Sequence, residues 1–332
     1  MFFALQAAWP GFRTALMTDH AETDFADIFA ASPLVLASRA SALAMAQDDI
    51  VQECLSPLPS EILSLTTRGD RILDRSLADA GGKGLFVKEL ERRLLDGDCD
   101  AAVHSMKDME TSFADGTVIA AVLPREDRRD ALVGRFESLD ALPDGAVVGT
   151  ASVRRKAILL HHRPDLRIEL LRGNVNTRLA ALADGRYDAI ILAMAGLRRL
   201  NLDVPHVPID PAIMPSAAAQ GALSIQTRAG GTARNDAIIA ACAALNCHQA
   251  ATEVGAERAL LRFLDGSCHT PIAASAGLVA DGGLTLDAMI LRPDGSAAHR
   301  GTLSGPATDA DRLGRELGAQ LLDQAGGRDF LA

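Results

Sequence analysis

The pattern Gly-x-x-Asp-Ala occurs at Gly97–Ala101 and again at Gly185–Ala189, each time between a segment of helical periodicity and a short apolar run. Glycine stops a helix because it enters the left-handed region without steric cost, and a run such as Ala101-Ala102-Val103 is a buried strand. Both copies therefore specify helix, stop, strand. Each copy also lies in a unit that opens with a strand, a Ser/Thr-rich turn with Arg nearby, and a helix: 34–36, 37–41 and 42–54 in one, 147–148, 149–152 and 153–161 in the other. Alternation of this kind specifies α/β layers. Its repetition predicts two similar lobes facing one another across a cleft, with helix N-termini pointing into it.

The other segments fill this frame. Residues 61–65 predict a strand, 66–84 a long polar loop of the kind that carries function or lacks order, and 85–95 a helix with Phe86, Leu90 and Leu94 on one face and a Glu89–Arg93 pair. After a strand at 118–123, the charged segment 124–130 reads as a crossing between units. A helix follows at 175–183, and 185–200 reads as an apolar strand ending in a loop with two arginines. A Pro-rich link at 205–215 precedes a strand from Ala218 that returns to the first lobe, and 235–264 reads as helical, with Val254, Leu261 and Leu264 on one face. Strands at 271–280, 284–292 and 297–303, separated by the turns D-G-G and P-D-G-S, predict a small antiparallel sheet covered by a helix at about 309–324.

A chain of 332 residues that is 48% hydrophobic is long enough for two or three cores. Its net charge of −10 argues against nonspecific binding to nucleic acid or an anionic membrane, and no apolar run is long enough to span a bilayer. Five cysteines without framework spacing suggest reduced thiols in a cytoplasmic protein, and Cys242 and Cys247 lack the second pair that a zinc site needs. Residues 1–30 are apolar at the start but lack a basic leader and a long hydrophobic core. They are expected to be a poorly ordered extension, with Met17 as an alternative start, rather than a signal peptide.

Chemistry enters where strands end. The run 101–103 leaves into Ser105-Met106-Lys107-Asp108, which places a Lys and an Asp in the crevice beyond the strands of an α/β sheet, a poor place for packing and a good one for ligands. Of the 33 basic residues only four are lysines. Arg39, Arg154, Arg155, Arg172, Arg178 and Arg199 all fall at turns or helix starts just after strands. One exposed arginine is ordinary, but this grouping in corresponding places of two lobes argues for a ligand with several carboxylates or phosphates, since guanidinium forks bind such groups bidentately. Gly81-Gly82-Lys83-Gly84 lacks the spacing of a nucleotide phosphate loop. His161 and His162 are adjacent on a helix and cannot share a metal from one face, and His104 reads as a core histidine. Cys268, in a loop beside Gly266 and Ser267, is either a buried inert thiol or an accessible thiolate able to form a covalent bond.

Nine segments together resemble the porphobilinogen deaminase (hydroxymethylbilane synthase) family: T-R-G-D at 67–70, G-G-K-G-L-F-V-K-E-L at 81–90, A-V-H-S-M-K-D at 102–108, R-E-D-R-R-D-A at 125–131, S-V-R-R at 152–155, L-R-G-N-V at 171–175, Y-D-A-I-I-L-A-M-A-G-L-R-R-L at 187–200, Q-G-A at 220–222 and C-H-T-P-I at 268–272. The resemblance implies two α/β lobes like those of periplasmic binding proteins around a cleft, plus a small C-terminal α+β domain. On that basis we expect 31–123 with 222–240 to form the first lobe, 128–216 the second, and 245–332 the cofactor-attachment domain.

It also implies a dipyrromethane cofactor held by a thioether to Cys268, onto which four porphobilinogen units are joined head to tail with loss of ammonia, the linear product hydroxymethylbilane then being hydrolysed off. By the same resemblance Asp108 is the catalytic carboxylate. Lys83, Lys107, Ser152, Arg154, Arg155 and Arg172 would hold the cofactor, and Arg39, Ser41, Phe86, Arg172, Arg178, Arg199 and Gln220 the substrate and growing pyrrole chain. A cytoplasmic monomer without metal, nucleic acid or membrane is expected. Several positions depart from the family's usual pattern: Ala37-Ser38 for Gly-Thr, Asp79 for Lys, Met109-Glu110 for Val-Pro, Ala151 for Ser, Asn176 for Gly and Ser267 for Gly. The change after Asp108 leaves one competing reading, a two-lobed anion-binding protein that kept the fold without the catalysis.

Overall fold

The computed structural model describes residues 28–29, 32–66, 87–267 and 269–331. The first lobe opens with β1 (Leu34–Arg39), α1 (Ala42–Leu55), β2 (Ser60–Leu65), α2 (Lys88–Asp96), β3 (Ala101–Ser105) and β4 (Thr117–Val122). The chain then crosses to β5 (Asp130–Val133), β6 (Val147–Gly149), α3 (Val153–His162), β7 (Arg167–Glu169), α4 (Val175–Ala183), β8 (Ala189–Ala193), α5 (Met194–Arg199) and β9 (His206–Pro208). It returns through β10 (Leu223–Arg228) and α6 (Ala233–Ala243) to α7 (His248–Phe263), β11 (Ile272–Leu278), β12 (Gly283–Leu291), β13 (Ala298–Pro306) and α8 (Ala310–Gln324).

The two larger sheets share one plan. Their orders are β2-β1-β3-β10-β4 and β7-β6-β8-β5-β9. In each, three strands run parallel and the fourth pairs antiparallel with both neighbours. That fourth strand is the crossing strand, β5 arriving from the first lobe and β10 returning from the second. The Gly-x-x-Asp-Ala repeat has a physical cause in this plan. Gly97 and Gly185 end α2 and α4 at φ +83° and +73°, conformations in which a side chain would be strained. Asp100 then accepts the backbone N–H of Val35 on its carboxylate (3.0 Å) while its own N–H donates to the Val35 carbonyl (2.9 Å). Asp188 makes the same pair of bonds with Val147, at 2.8 and 2.9 Å. Each Asp thus sets the register of the strand it precedes, β3 against β1 in the first lobe and β8 against β6 in the second.

Apolar faces pack as the periodicity requires. Leu34, Leu36, Val51, Leu55, Val103 and Ile225 build the first core, Val148, Ile158, Leu159 and Ile191 a second-lobe core, and Leu286, Ile290, Leu317 and Leu321 the core beneath α8. Phe29 lies in the extension expected to lack order, yet it is fully buried in the first core. Residues 1–27 and 30 of the expected extension, and the polar loop from residue 67 onward, lie outside the described residues.

Four local readings are corrected. The loop expected after β8 is the helix α5, whose Met194, Ala195 and Leu197 are buried. The segment 235–264 is two helices: the chain breaks before His248 because Asn246 accepts the Val122 N–H (2.9 Å) and Cys247 donates to the Val122 carbonyl (2.8 Å), finishing the end of β4. The strand expected from Ala218 begins only at Leu223, because Ala219 and Gly221 turn the chain at φ +59° and +89°. A Cβ at Gly221 would collide with the Glu126 carbonyl, so the two crossing segments touch here. The crossing reading of 124–130 missed that Asp130 opens β5, all four residues of which are buried; β7 and β9 were also missed.

The charges of that segment attach the C-terminal unit. Arg125 forks onto Glu257 at 2.6 and 3.0 Å, Arg128 meets Glu253 at 2.9 Å, and Glu257 also accepts the N–H groups of Ala219 (2.6 Å) and Ala276 (2.7 Å). Both crossing segments therefore meet the C-terminal unit at one buried carboxylate. Among the described residues no helix is long and apolar enough to cross a membrane.

Candidate active site

A cleft of about 610 Å³ opens where the parallel strands of both lobes end. Three of the helix starts that feed it carry a polar cap, whereas α5 starts at Ala193 without one. Ser41 starts α1 by accepting the Ala44 N–H (3.3 Å), Ser152 starts α3 by accepting that of Arg155 (3.4 Å), and Asn174 starts α4 by accepting that of Thr177 (2.9 Å). Because the caps accept through oxygen, the Ser41 and Ser152 hydroxyl hydrogens can still be directed at a ligand, and the helix ends add partial positive charge. β3 runs into a 3₁₀ turn, Met106–Asp108, that carries Lys107 and Asp108 to the rim. Ser105 beneath it is held by Gln47 at 3.0 Å.

Arg39, Ser41, Lys107, Asp108, Ser152, Arg154, Arg155, Arg172, Arg178, Arg199 and Gln220 all line this one cleft. Lys83, Phe86 and Cys268 lie outside the described residues. Ser267 and Thr270, which bracket the cysteine position, do line it, and the loop is closed by the Thr270 N–H donating to the Ser267 carbonyl at 3.0 Å.

Two of the arginines are placed differently from the expectation of open forks. Arg154 and Arg155 are only 4% and 6% exposed and direct their guanidiniums at Asp130, at 2.6 Å for one and at 2.7 and 3.1 Å for the other. Gln220 completes the shell, donating to Asp130 at 3.0 Å and accepting from Lys107 at 3.3 Å. Burial alone would raise the Asp130 carboxyl, but the two guanidiniums and Gln220 hold it well below the usual carboxylate range. Asp130 was not singled out in the sequence because its neighbours, E-D-R-R-D, look like a solvated charge run; the signal available was the apolar Ala131-Leu132-Val133 that follows.

The lining is cationic and partly dry. Burial, opposed by Asp108 and reinforced by Arg155, brings Lys107 down to about 8. Burial, with Arg155, Arg172 and Arg39 adding to it and Asp108 opposing, brings Arg178 to about 10; burial against Glu126 does the same to Arg199. Arg178 is oriented by the Gly173 carbonyl (2.8 Å) and Arg199 by that of Gly221 (2.6 Å). Cations crowded in a low-dielectric cleft lower one another's proton affinity, and a polyanion would relieve that crowding. The described lining holds seven basic side chains against two acidic ones, Asp108 and Glu110.

Comparison with known proteins gives the family. A family model described as porphobilinogen deaminase, dipyromethane cofactor binding domain, matches residues 34–236, and one described as porphobilinogen deaminase, C-terminal domain, matches 251–323. A porphobilinogen deaminase of Chromobacterium violaceum is 49% identical over 305 residues, covering 90% of this chain and 97% of that protein. Among solved structures, the BvgS VFT2 domain of Bordetella pertussis covers 69% of this chain and 94% of its own at 16% identity and a TM-score of 0.37. A ligand-binding component of an ABC-type import system from Staphylococcus aureus covers 70% and 75% at 12% identity, also with a TM-score of 0.37.

Proposed function

The chain belongs to the porphobilinogen deaminase family, and from that premise we propose that it joins four porphobilinogen molecules head to tail, with loss of ammonia, and releases hydroxymethylbilane. The observation that carries the proposal is the cleft itself: seven basic side chains drawn from both lobes line it together with the carboxylate of Asp108, and Glu110 is the one other acid in the described lining. Each porphobilinogen ring bears an acetate and a propionate, so the lining matches a growing polycarboxylate.

The donor set also fits a dipyrromethane, whose four carboxylates would fall to Lys107, Ser152, Arg154, Arg155, Arg172 and, by the family resemblance, Lys83. We propose its attachment through a thioether to Cys268, in the loop whose neighbours Ser267 and Thr270 face the cleft. When bound, it supplies the pyrrole α-carbon at which the chain is extended. Arg154 and Arg155, held on Asp130, act as a fixed positive wall rather than as mobile clamps. Arg39, Ser41, Arg172, Arg178, Arg199 and Gln220 bind and orient substrate carboxylates, and Phe86 packs on a ring.

Asp108 has the chemical task. Loss of ammonia leaves an electron-poor methylene-pyrrole whose positive charge is shared with the ring nitrogen, and a carboxylate stabilises that charge and accepts the proton released when the new carbon–carbon bond forms. Its place on a 3₁₀ turn locked between β3 and the Ala222 carbonyl, which accepts from Met106 at 3.0 Å, keeps it at the rim. The division into 31–123 with 222–240, 128–216 and 245–332, the cytoplasmic location and the monomeric state belong to the same proposal; free thiols at Cys54, Cys99, Cys242 and Cys247 support a reducing compartment. Incubation with porphobilinogen tests the function. One hydroxymethylbilane should form per four substrates consumed, whereas binding without consumption would favour the non-catalytic reading.

A further inference from the structure

We propose that Glu110 is a specificity-determining residue that, with Asp108, binds the aminomethyl ammonium of the incoming substrate. The inference rests on the deaminase reading above. Porphobilinogen brings two carboxylates and one ammonium to the cleft. Seven basic side chains attract the former and repel the latter, and among the described lining residues only Asp108 and Glu110 carry the opposite sign. Among the described residues of the cleft, that pair of carboxylates is the place of favourable potential for a cation.

The backbone directs both carboxylates there. Met109 is extended at φ −83° and ψ 141°, and the residues on either side of it, Asp108 and Glu110, both line the cleft while Met109 turns into the core. The Met109 side chain is 4% exposed, packed with Val87, Met106, Val122 and Ala222, and its sulfur accepts from Ser224 at 3.2 Å. Arg258 fixes the next peptide by donating to the carbonyls of Met109 and Glu110, and its guanidinium lies 5.0 Å from the Phe113 ring centroid. These contacts hold the Glu110 backbone in place, in a position where the family usually has proline, and leave its carboxylate at the cleft wall.

The test compares wild type and Glu110→Gln, both carrying the cofactor, on porphobilinogen and on its hydroxymethyl analogue, which carries an uncharged hydroxyl in place of the ammonium. Expected for the variant is a five- to tenfold rise in KM for porphobilinogen, kcat within twofold, and an unchanged KM for the analogue. Intact-mass analysis after mixing with limiting porphobilinogen should show correspondingly fewer chains extended by one ring. An unchanged KM for porphobilinogen, or an equal rise for both substrates, would overturn the assignment, the latter marking a structural role. Absence of wild-type turnover would instead defeat the deaminase reading.

Discussion

Asp48 offers a direct test of how the first lobe balances a buried charge. It lies on α1 with no exposed surface, its Oδ2 accepts a short hydrogen bond from Ser38 on β1, and its Oδ1 has no partner among the described residues. Burial, opposed by the Ser38 bond and reinforced by Asp49, pushes its carboxyl from 3.8 up to about 7. Because the folded state holds the proton more tightly than the unfolded state, stability is greatest below pH 3.8, falls as the pH rises, and levels off above about 7. At 1.36 kcal/mol per pH unit the full loss is roughly 4 kcal/mol, of which somewhat more than half falls between about pH 5 and pH 8.

Asp48→Asn keeps the shape and an acceptor for Ser38 but cannot ionise. Any fixed cost of the amide cancels when the gap between the two melting temperatures is compared at two pH values. From pH 5 to pH 8 the variant should gain on wild type by roughly 5–10 °C, taking about 2–4 °C per kcal/mol. A gap that does not change with pH would refute the reasoning. It would mean that the lobe opens locally to solvate Asp48, or that Ser38 alone stabilises the ionised form.

Asp130→Asn should destabilise far more. It leaves the Arg154 and Arg155 guanidiniums buried without their counter-charge, a loss of about 3–5 kcal/mol measurable by thermal melting at pH 7. Since the Asp130 carboxyl is held below its ordinary value, its contribution is present above about pH 4 and lost as the pH falls, so the deficit should narrow in acid. Asp108→Asn should leave the fold and the attached cofactor intact, by melting temperature and intact mass, while reducing turnover by about 100-fold or more, the scale on which a lost acid–base group acts; near-normal turnover would remove Asp108 from the mechanism.

The layered fold was legible because the repeat encodes it: Gly97 and Gly185 end helices, and Asp100 and Asp188 bind the strands beside them. Cleft residues such as Arg39, Arg178 and Arg199 were legible as well, since position after a strand decides which face of an α/β sheet a side chain reaches. What stayed hidden depended on partners distant in sequence. Asp130 differs from a surface aspartate only because Arg154, Arg155 and Gln220 arrive from other elements. Arg125 and Arg128 read only as part of a charged crossing, with no sign of Glu253 and Glu257 on α7 that meet them, and the break before His248 exists to finish β4, a tertiary demand that helical propensity does not register.

The central claim, a covalently primed cleft, is tested most directly by the intact mass of the protein purified from a host that makes porphobilinogen. Wild type should weigh its polypeptide plus one dipyrromethane, and Cys268→Ala the bare polypeptide. A wild-type mass equal to the polypeptide alone would contradict the account.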